Sequence, residues 1–293
     1  DRRAGIASAL DLSIEIKSQD VPEPLAHDHA FFPVMPLQWT ERPVAGKGDS
    51  RNAEVIIASI RKAANMAQDG TAAAIVTNPI NKAILKDAGF SHPGHTEFLA
   101  SLAPARPGAP LMMLAGESLR VVPATVHIAL RDVPAALTTD GIVAKGRLLN
   151  EALQLYFGCG SPRIAVCGLN PHAGENGQFG DEDQRVIAPA VEALKDEGIG
   201  AFGPLSADTL FHPEARETYD AAIGMYHDQV LIPLKTIDFD GGVNVTLGLD
   251  FIRTSPDHGT AFDIAGTGKA RPQSLMAAIR MARMMTSRRQ PDG

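Results

Sequence analysis

The sequence predicts an α/β fold with a largely parallel sheet, and three observations lead to this prediction. With 293 residues the chain is longer than one hydrophobic core usually serves, so about two domains are expected. Short apolar runs typical of buried strands recur along it: PLMMLAG, LRVVPATV, RIAVCGLN and AAIGMYH. Amphipathic stretches separate them, such as TTDGIVAKGRLLNEALQLYFG and DEDQRVIAPAVEALKDEG. This alternation favours βαβ units, in which neighbouring strands are parallel.

The elements before residue 90 follow from local signals. VPEPLAHDHAFFPVMPLQW contains four prolines, so this early part of the chain is expected to be irregular. A helix is predicted from Ser50 or Asn52 to Gly70, and AAAIVTN predicts a buried strand after it. PINKAILKDAG then predicts a helix that opens at Pro79 and ends at Gly89.

Two later elements complete the expected order. The apolar run VLIPL, after His227, is expected to be a short strand that returns the chain to the core, with Lys235 directly beyond it. SLMAAIRMARMM predicts a closing helix.

The composition excludes several classes of protein. A net charge of −7 and a pI near 5.7 argue against nucleic acid or an anionic membrane as partner. No apolar run approaches the roughly 20 residues of a membrane-spanning helix. Cys159 and Cys167 lack CxxC spacing, which argues against a disulfide framework or a thiolate metal site. We therefore expect a cytoplasmic protein.

Three histidines follow three of the strand-like runs. His127 comes after LRVVPATV, His172 after RIAVCGLN and His227 after AAIGMY. Because ligands bind at the carboxyl ends of strands in open α/β sheets, the three imidazoles are expected on one rim. Three imidazoles suit a divalent transition metal, and a nearby carboxylate such as Asp228 suits an outer partner of a ligand. The spacing does not distinguish metal binding from general acid–base chemistry by one of the three.

A second set of residues suits an anion. His95 and Thr96, in HPGHTEFLA, stand at the start of a predicted helix, where backbone N–H groups favour phosphate. Lys235 comes shortly after His227, Asp228 and Gln229, which form an HDQ run. Asn244 and Arg253 flank VTLGLDFI. Two cations and an amide suit a phosphoester, whereas solvated surface charge is the default interpretation of Lys235 or Arg253 taken alone.

No GxGxxG motif follows a strand, so the usual dinucleotide fingerprint is absent. The stretch RTSPDHGTAFDIAGTGKA is instead predicted to be a glycine-rich loop, with His258 and Asp263 among small residues. Such a loop lets a cofactor approach the backbone closely, although a plain surface loop has the same composition.

Several collinear stretches together resemble the 4-hydroxythreonine-4-phosphate dehydrogenase family of pyridoxal phosphate biosynthesis. The matching stretches are VTNPINK, GFSHPGHTEFLA, HIALRDVP, GLNPHAGENG, SADTLF, GMYHDQVLIPLK and GGVNVTLGLDFIRTSPDHGTAFDIAGTG. The resemblance implies NAD- or NADP-dependent oxidation of 4-phosphooxy-L-threonine, followed by loss of CO₂ to give 3-amino-2-oxopropyl phosphate. It also implies a homodimer whose site lies at the subunit interface.

The resemblance assigns roles to residues of this chain. A divalent ion (zinc, magnesium, cobalt or manganese) is expected on His127, His172 and His227. The substrate and its phosphate are expected to contact five residues: His95, Thr96, Lys235, Asn244 and Arg253. The 258–263 loop is similar to the adenine-side NAD loop of isocitrate and isopropylmalate dehydrogenases, which assigns cofactor contacts to His258, Gly259, Thr260, Ala261 and Asp263. Neither the residues nor the resemblance identifies the proton acceptor, for which Asp208, Asp228 and a metal-bound water are candidates.

The resemblance also implies two α/β/α domains with the substrate cleft between them. We expect the first at residues 1–98 with 266–293, and the second, with the metal ligands and the dimer interface, at 99–265. Nothing in the chain resembles the first strand and the TPGDPAGIGPE-like turn of the family. We therefore expect that roughly 40 residues, a strand–helix unit, precede Asp1.

Two other functions remain open from the sequence. A sister dehydrogenase that acts on 4-phospho-threonate or 4-phospho-erythronate would use the same metal and phosphate sites, because the substrates differ only at position 2. From another class, a non-catalytic α/β protein that binds a metal or a phosphorylated metabolite would need the same residue types.

Overall fold

The computed structural model describes residues 7–8, 11–19, 31–106 and 108–289. The chain forms two compact units. Unit 1 consists of Asp1–Ala72, Ile80–His95 and Gly259–Arg271, and unit 2 of Ala73–Pro79, Thr96–His258 and Pro272–Gly293.

The described part of unit 1 includes a short parallel strand pair and the two helices named next. The strands are β1 (Glu15–Ser18) and β2 (Phe31–Val34), and the helices are α1 (Ala53–Gln68) and α2 (Lys82–Asp87). The helix predicted from Ser50 or Asn52 is confirmed as a 3-10 turn, Ser50–Asn52, that leads into α1. The start predicted at Pro79 is wrong. The side chain of Asn81 accepts from the Ile84 amide at 3.1 Å, so the capped helix begins at Lys82.

In unit 2, eight of the described strands form one mixed sheet in the order β3-β10-β9-β4-β5-β8-β6-β7. The strands are β3 (Ile75–Val76), β4 (Leu111–Ala115), β5 (Arg120–Pro123), β6 (Arg163–Cys167), β7 (Gly200–Leu205), β8 (Ala221–Gly224), β9 (Val243–Leu247) and β10 (Arg253–Pro256). Strands β5, β8, β6 and β7 run parallel to one another, as do β3 and β10. The pairs β4–β5, β4–β9 and β9–β10 are antiparallel.

Helices cover both faces of this sheet. The described helices of unit 2 are α3 (His95–Leu102, which begins at the last residue of a unit 1 segment), α4 (Val133–Ala136), α5 (Thr139–Phe157), α6 (Ala188–Asp196), α7 (Pro213–Arg216), α8 (His227–Ile237) and α9 (Gln273–Arg289). One face packs on α5, α6 and α9, and the other on α8. The predicted α/β class is confirmed, and unit 2 is a three-layered α/β/α structure.

Three expectations about individual elements need correction. VLIPL is not a strand, because α8 begins at His227 and includes the whole run. The loop expected from residue 253 begins with strand β10. The C-terminal helix, expected in the first domain, lies in unit 2. It packs there because Ala278 is buried and its carbonyl oxygen accepts from Thr254 Oγ1 of β10 at 2.9 Å.

Among the described residues, no helix has both the length and the apolar character that crossing a bilayer requires.

Candidate active site

Four neighbouring parallel strands end at one rim of the sheet, and each is followed by a polar residue that the sequence singled out. In spatial order β5, β8, β6 and β7 are followed by His127, His227, His172 and Asp208. The prediction that the three histidines follow strand ends on one rim is confirmed. Parallel pairing produces this arrangement, because strands that run the same way release their carboxyl ends on the same side.

His227 is the first residue of α8, and Asp228 orients its ring. Nδ1 of His227 lies 2.7 Å from Oδ1 of Asp228. An ionised carboxylate only accepts, so this contact places the ring hydrogen on Nδ1 and leaves the Nε2 lone pair available. The His127 ring is 6.0 Å from the His227 ring, centroid to centroid. Both rings line an open cleft of about 280 Å³.

The side chains as they stand do not form a complete metal site. Within the described part of the chain, no three His, Cys, Asp or Glu residues are arranged to hold an ion. The two neighbouring rings, His127 and His227, are close to the separation of about 5 Å expected for imidazoles on one tetrahedral ion. His127 and His227 therefore suit a divalent transition metal, whereas His172 forms no three-residue group with them in this structure.

His172 lies in a turn with an unusual backbone. Five successive residues, His172 to Asn176, have φ between 42° and 78°, and four of them carry side chains. A left-handed conformation costs roughly 1–2 kcal/mol for each residue with a Cβ. Contacts from outside the turn must therefore hold it.

Asp208 stands beside this turn, on the neighbouring strand end. The hydrogen bond from Ser206 Oγ holds the pKa of Asp208 below its ordinary value of 3.8, and the charge of His172 contributes in the same direction. Burial acts the other way but does not prevail. Asp208 is therefore a carboxylate at neutral pH, able to accept a proton.

Arg253, on β10, is a buried cation, and within the described part of the chain its side chain donates to hydroxyl groups. Its side chain is 4% exposed, and burial lowers its pKa to about 10, with the charge of Glu97 acting in the opposite direction. Nε and Nη2 donate to Thr77 Oγ1 at 3.1 and 2.8 Å, and Nη1 donates to Thr246 Oγ1 at 2.9 Å. No carboxylate of the described residues forms an ion pair with it. Two of its five N–H donors remain for an anion.

Asn244 and Lys235 lie on the same side of the sheet as Arg253. Thr246 faces Arg253 across the β9–β10 pair, and Asn244, two residues before Thr246, shares its face. Asn244 is also opposite Leu114, which packs against α8. Lys235 is on α8 and lines one cleft of about 410 Å³ together with His227.

Lys235 is not a free cation in this structure. Its Nζ is 2.6 Å from Oδ2 of Asp257, the residue that follows β10. Lys235 is eight residues from His227, about 12 Å along the helix, and helical side chains lean toward the N-terminus. In this structure its long side chain is instead directed toward Asp257.

The other residues predicted for the site are His95, Thr96 and those of the 258–263 loop. His95 is the first residue of α3. Thr96 precedes Glu97, whose negative charge acts to raise the pKa of Arg253. His258 and Gly259 are exposed in a loop after β10, and Thr260 is half-buried. Ala261 has a left-handed backbone with φ 45°, and exposed Asp263 follows in the 3-10 turn Phe262–Ile264. No contact of the loop identifies a cofactor site.

The structure adds three residues that the sequence did not single out. Thr77 holds Arg253, Asp183 accepts bonds from the segment before His172, and Gln229 joins two strand ends. Gln229 was visible as part of the HDQ run, and Thr77 lies in the VTN end of a predicted strand. The sequence did not predict a role for Asp183, because DEDQ has the composition of the polar first turn of a helix.

Comparison with known proteins gives matches that cover nearly the whole chain. The family model described as pyridoxal phosphate biosynthetic protein PdxA matches residues 3–282. A 4-hydroxythreonine-4-phosphate dehydrogenase from Xanthobacter autotrophicus is 53% identical over 280 residues, which cover 94% of this chain and 80% of that protein. One from Bradyrhizobium diazoefficiens is 53% identical and covers 96% and 82%. The crystal structure of the Klebsiella pneumoniae protein of the same name superposes with a TM-score of 0.88 at 40% identity, covering 97% of this chain and 87% of that one.

Proposed function

The chain belongs to the PdxA family, and from this premise we propose that it oxidises 4-phosphooxy-L-threonine with NAD or NADP. Hydride leaves the carbon of the secondary alcohol for the nicotinamide. The resulting β-keto acid loses CO₂ and gives 3-amino-2-oxopropyl phosphate, in pyridoxal 5′-phosphate (vitamin B6) biosynthesis. The relatives are named for this dehydrogenase activity, and the residues at the rim of the sheet suit its chemistry.

The buried Arg253 is the observation that carries the proposal. A desolvated guanidinium that has only hydroxyl partners among the described residues gains a large stabilisation from an anion. Asn244 shares its face of the sheet, Lys235 comes from the helix that covers this face, and Thr96 lies one residue from Glu97. We assign the substrate phosphate to these residues and to His95. Its binding energy then positions the reacting carbon at a distance from the phosphate.

We assign a divalent ion to His127, His172 and His227. Such an ion would supply Lewis-acid stabilisation of the negative charge that develops during oxidation and decarboxylation. The residues of this chain contribute orientation. Asp228 fixes the His227 tautomer with Nε2 free, and the His127 ring shares its cleft.

Asp208 and Asp228 are the candidates for accepting the hydroxyl proton. Asp208 is ionised and stands beside the His172 turn, whereas Asp228 is engaged with the His227 ring. Both remain candidates, because Oδ1 of Asp208 accepts from Ser206 Oγ just as Oδ1 of Asp228 contacts the His227 ring, and an acceptor needs only one further oxygen toward the substrate. For the nicotinamide cofactor we assign the loop of His258, Gly259, Thr260, Ala261 and Asp263, whose small residues and exposed backbone allow close approach.

We propose that two copies of the chain form a homodimer with a shared site. Large apolar side chains surround the histidine clefts, among them Leu130, 66% exposed, and Ile232, 62% exposed. Apolar surface of this kind is typical of a protein interface. A shared site would also bring imidazoles together that one chain holds apart.

The test is the formation of reduced nicotinamide by metal-free protein supplied with 4-phosphooxy-L-threonine, NAD or NADP, and zinc, magnesium, cobalt or manganese in turn. We expect turnover with one or more ions, and a higher kcat/KM than with 4-phospho-threonate or 4-phospho-erythronate. A preference for either of these acids would identify the sister activity. Binding of the substrates without turnover under any of these conditions would contradict an enzymatic function.

A further inference from the structure

The left-handed turn that carries His172 is fixed at its entrance by one buried carboxylate. Asp183 is 1% exposed and belongs to the π-helical turn Asp183–Ile187, which leads into α6. Its Oδ1 accepts from the Leu169 amide at 2.8 Å. Its Oδ2 accepts from the Asn170 amide at 3.2 Å and from Asn170 Nδ2 at 3.0 Å. All three donors belong to the two residues before Pro171, so they fix the direction in which the chain enters the turn.

The glycines around this carboxylate show how closely it is enclosed. A Cβ on Gly168 would lie 2.6 Å from Asp183 Oδ1, and a Cβ on Gly174, where φ is +78°, would lie 3.2 Å from Oδ2. The carboxylate therefore fits between the end of β6 and the middle of the turn. Glu182 adds a bond of 2.8 Å from Asn170 Nδ2, but it reaches none of the backbone amides that Asp183 accepts from.

We propose that Asp183 is a positioning residue for His172, and that without its carboxylate the turn leaves the conformation that presents the imidazole to the ion. The inference rests on the proposed function, in which His172 is a metal ligand. A carboxylate is required because it only accepts, and three donors converge on it. An asparagine in its place would turn an N–H₂ group toward at least one of these donors.

The experiment measures Co²⁺ binding by the metal-free full chain, with calorimetry and the visible absorption of the bound ion. We expect Asp183→Asn to raise the Kd for Co²⁺ by about 10- to 100-fold. Asp220→Asn is the matched control. Asp220 accepts at 2.8 Å from the backbone amide of Arg163, the first residue of β6, at the end of this strand that is far from the His172 turn.

A second measurement reports on the turn in the absence of metal. Backbone amide exchange of the peptide that covers residues 168–177 should be faster in Asp183→Asn than in the parent, and unchanged in Asp220→Asn. Should Asp183→Asn fail to fold, Asn170→Ala removes only the side-chain donor and should raise the Co²⁺ Kd by a smaller factor.

The outcomes separate the two claims. An unchanged Co²⁺ Kd in Asp183→Asn, together with a raised Kd in His172→Ala, would overturn the role of Asp183 and leave the metal site intact. An equal rise in Asp183→Asn and Asp220→Asn would also overturn it, because general destabilisation would then explain both. An unchanged Kd in His172→Ala would overturn the metal site itself.

Discussion

Gln229 Nε2 donates a hydrogen bond of 2.7 Å to the carbonyl oxygen of Gly168, and this bond joins the two strand ends that carry His227 and His172. Oε1 of the same amide accepts from the Met225 amide at 2.6 Å. The Gln229 amide thus satisfies one backbone N–H group and one backbone carbonyl group at the end of the sheet.

Replacing Gln229 with Glu should therefore destabilise the fold. The carboxylate still accepts from Met225 but cannot donate to Gly168, which leaves a carbonyl oxygen facing a negative charge. We expect the free energy of unfolding to fall by about 1–3 kcal/mol, measured by urea denaturation. The control is Gln184→Glu at an exposed position, which should change it little. Equal stability of the two variants would contradict the bridging role.

Replacing Arg253 with Met should affect substrate binding far more than folding. The change removes the guanidinium that we propose binds the phosphate, so KM for the phosphorylated substrate should rise about 10- to 100-fold. Stability should suffer little, because a buried cation with neutral partners contributes little net stabilisation. The exposed Arg147, paired with Glu197, gives the control Arg147→Met, whose KM should equal that of the parent. A parent-like KM in Arg253→Met would remove the guanidinium from the phosphate site.

The Ser206–Asp208 contact predicts a pH dependence. This contact is the largest cause of the lowered pKa of Asp208, so Ser206→Ala should raise that pKa toward 3.8. A depressed carboxylate pKa contributes stability above the unfolded value of 3.8, and this stability is lost as pH falls through the folded value. The parent should therefore exceed Ser206→Ala in stability at neutral pH by more than it does in acid. Carbon NMR of the Asp208 carboxyl group gives the pKa directly, and equal titration in both proteins would refute the assignment.

Replacing Asp228 with Asn should weaken zinc binding. The amide no longer enforces the ring hydrogen on His227 Nδ1, so Nε2 is less often the free donor, and the affinity should fall about 10- to 100-fold. Competition against a coloured zinc chelator measures this, with exposed Asp196→Asn as the control. If both variants bind zinc as the parent does, Asp228 does not orient the ligand.

The positions of the strands along the chain and the polar residues that follow them were predictable, because both depend on short-range pattern. Apolar runs of strand length followed by His127, His172 and His227 sufficed to predict one rim. The PLMMLAGESLRVVP stretch contains a further signal that the prediction of parallel strands overlooked. Its link is too short for a crossover helix, so β4 and β5 had to be antiparallel.

Other features depend on tertiary contacts that no short pattern records. VLIPL has the composition of a strand, but its continuation from His227 as one buried helix face, with Val230, Leu231 and Leu234 against the sheet, makes it helical. The left-handed turn at His172 depends on Asp183, which lies beyond the turn in sequence. The sequence alone favours a surface position for Arg253, because its hydrogen-bond partner Thr77 is 176 residues away in the chain.

The most direct test of the three-histidine site is the location of the metal. A crystal of the full chain prepared with Co²⁺ and inorganic phosphate should give one strong anomalous peak per site, about 2.1 Å from an imidazole nitrogen of each of His127, His172 and His227. The three rings count whether they come from one subunit or two. A peak that lacks any of the three, or that lies away from the rim formed by β5, β8 and β6, would contradict the central claim.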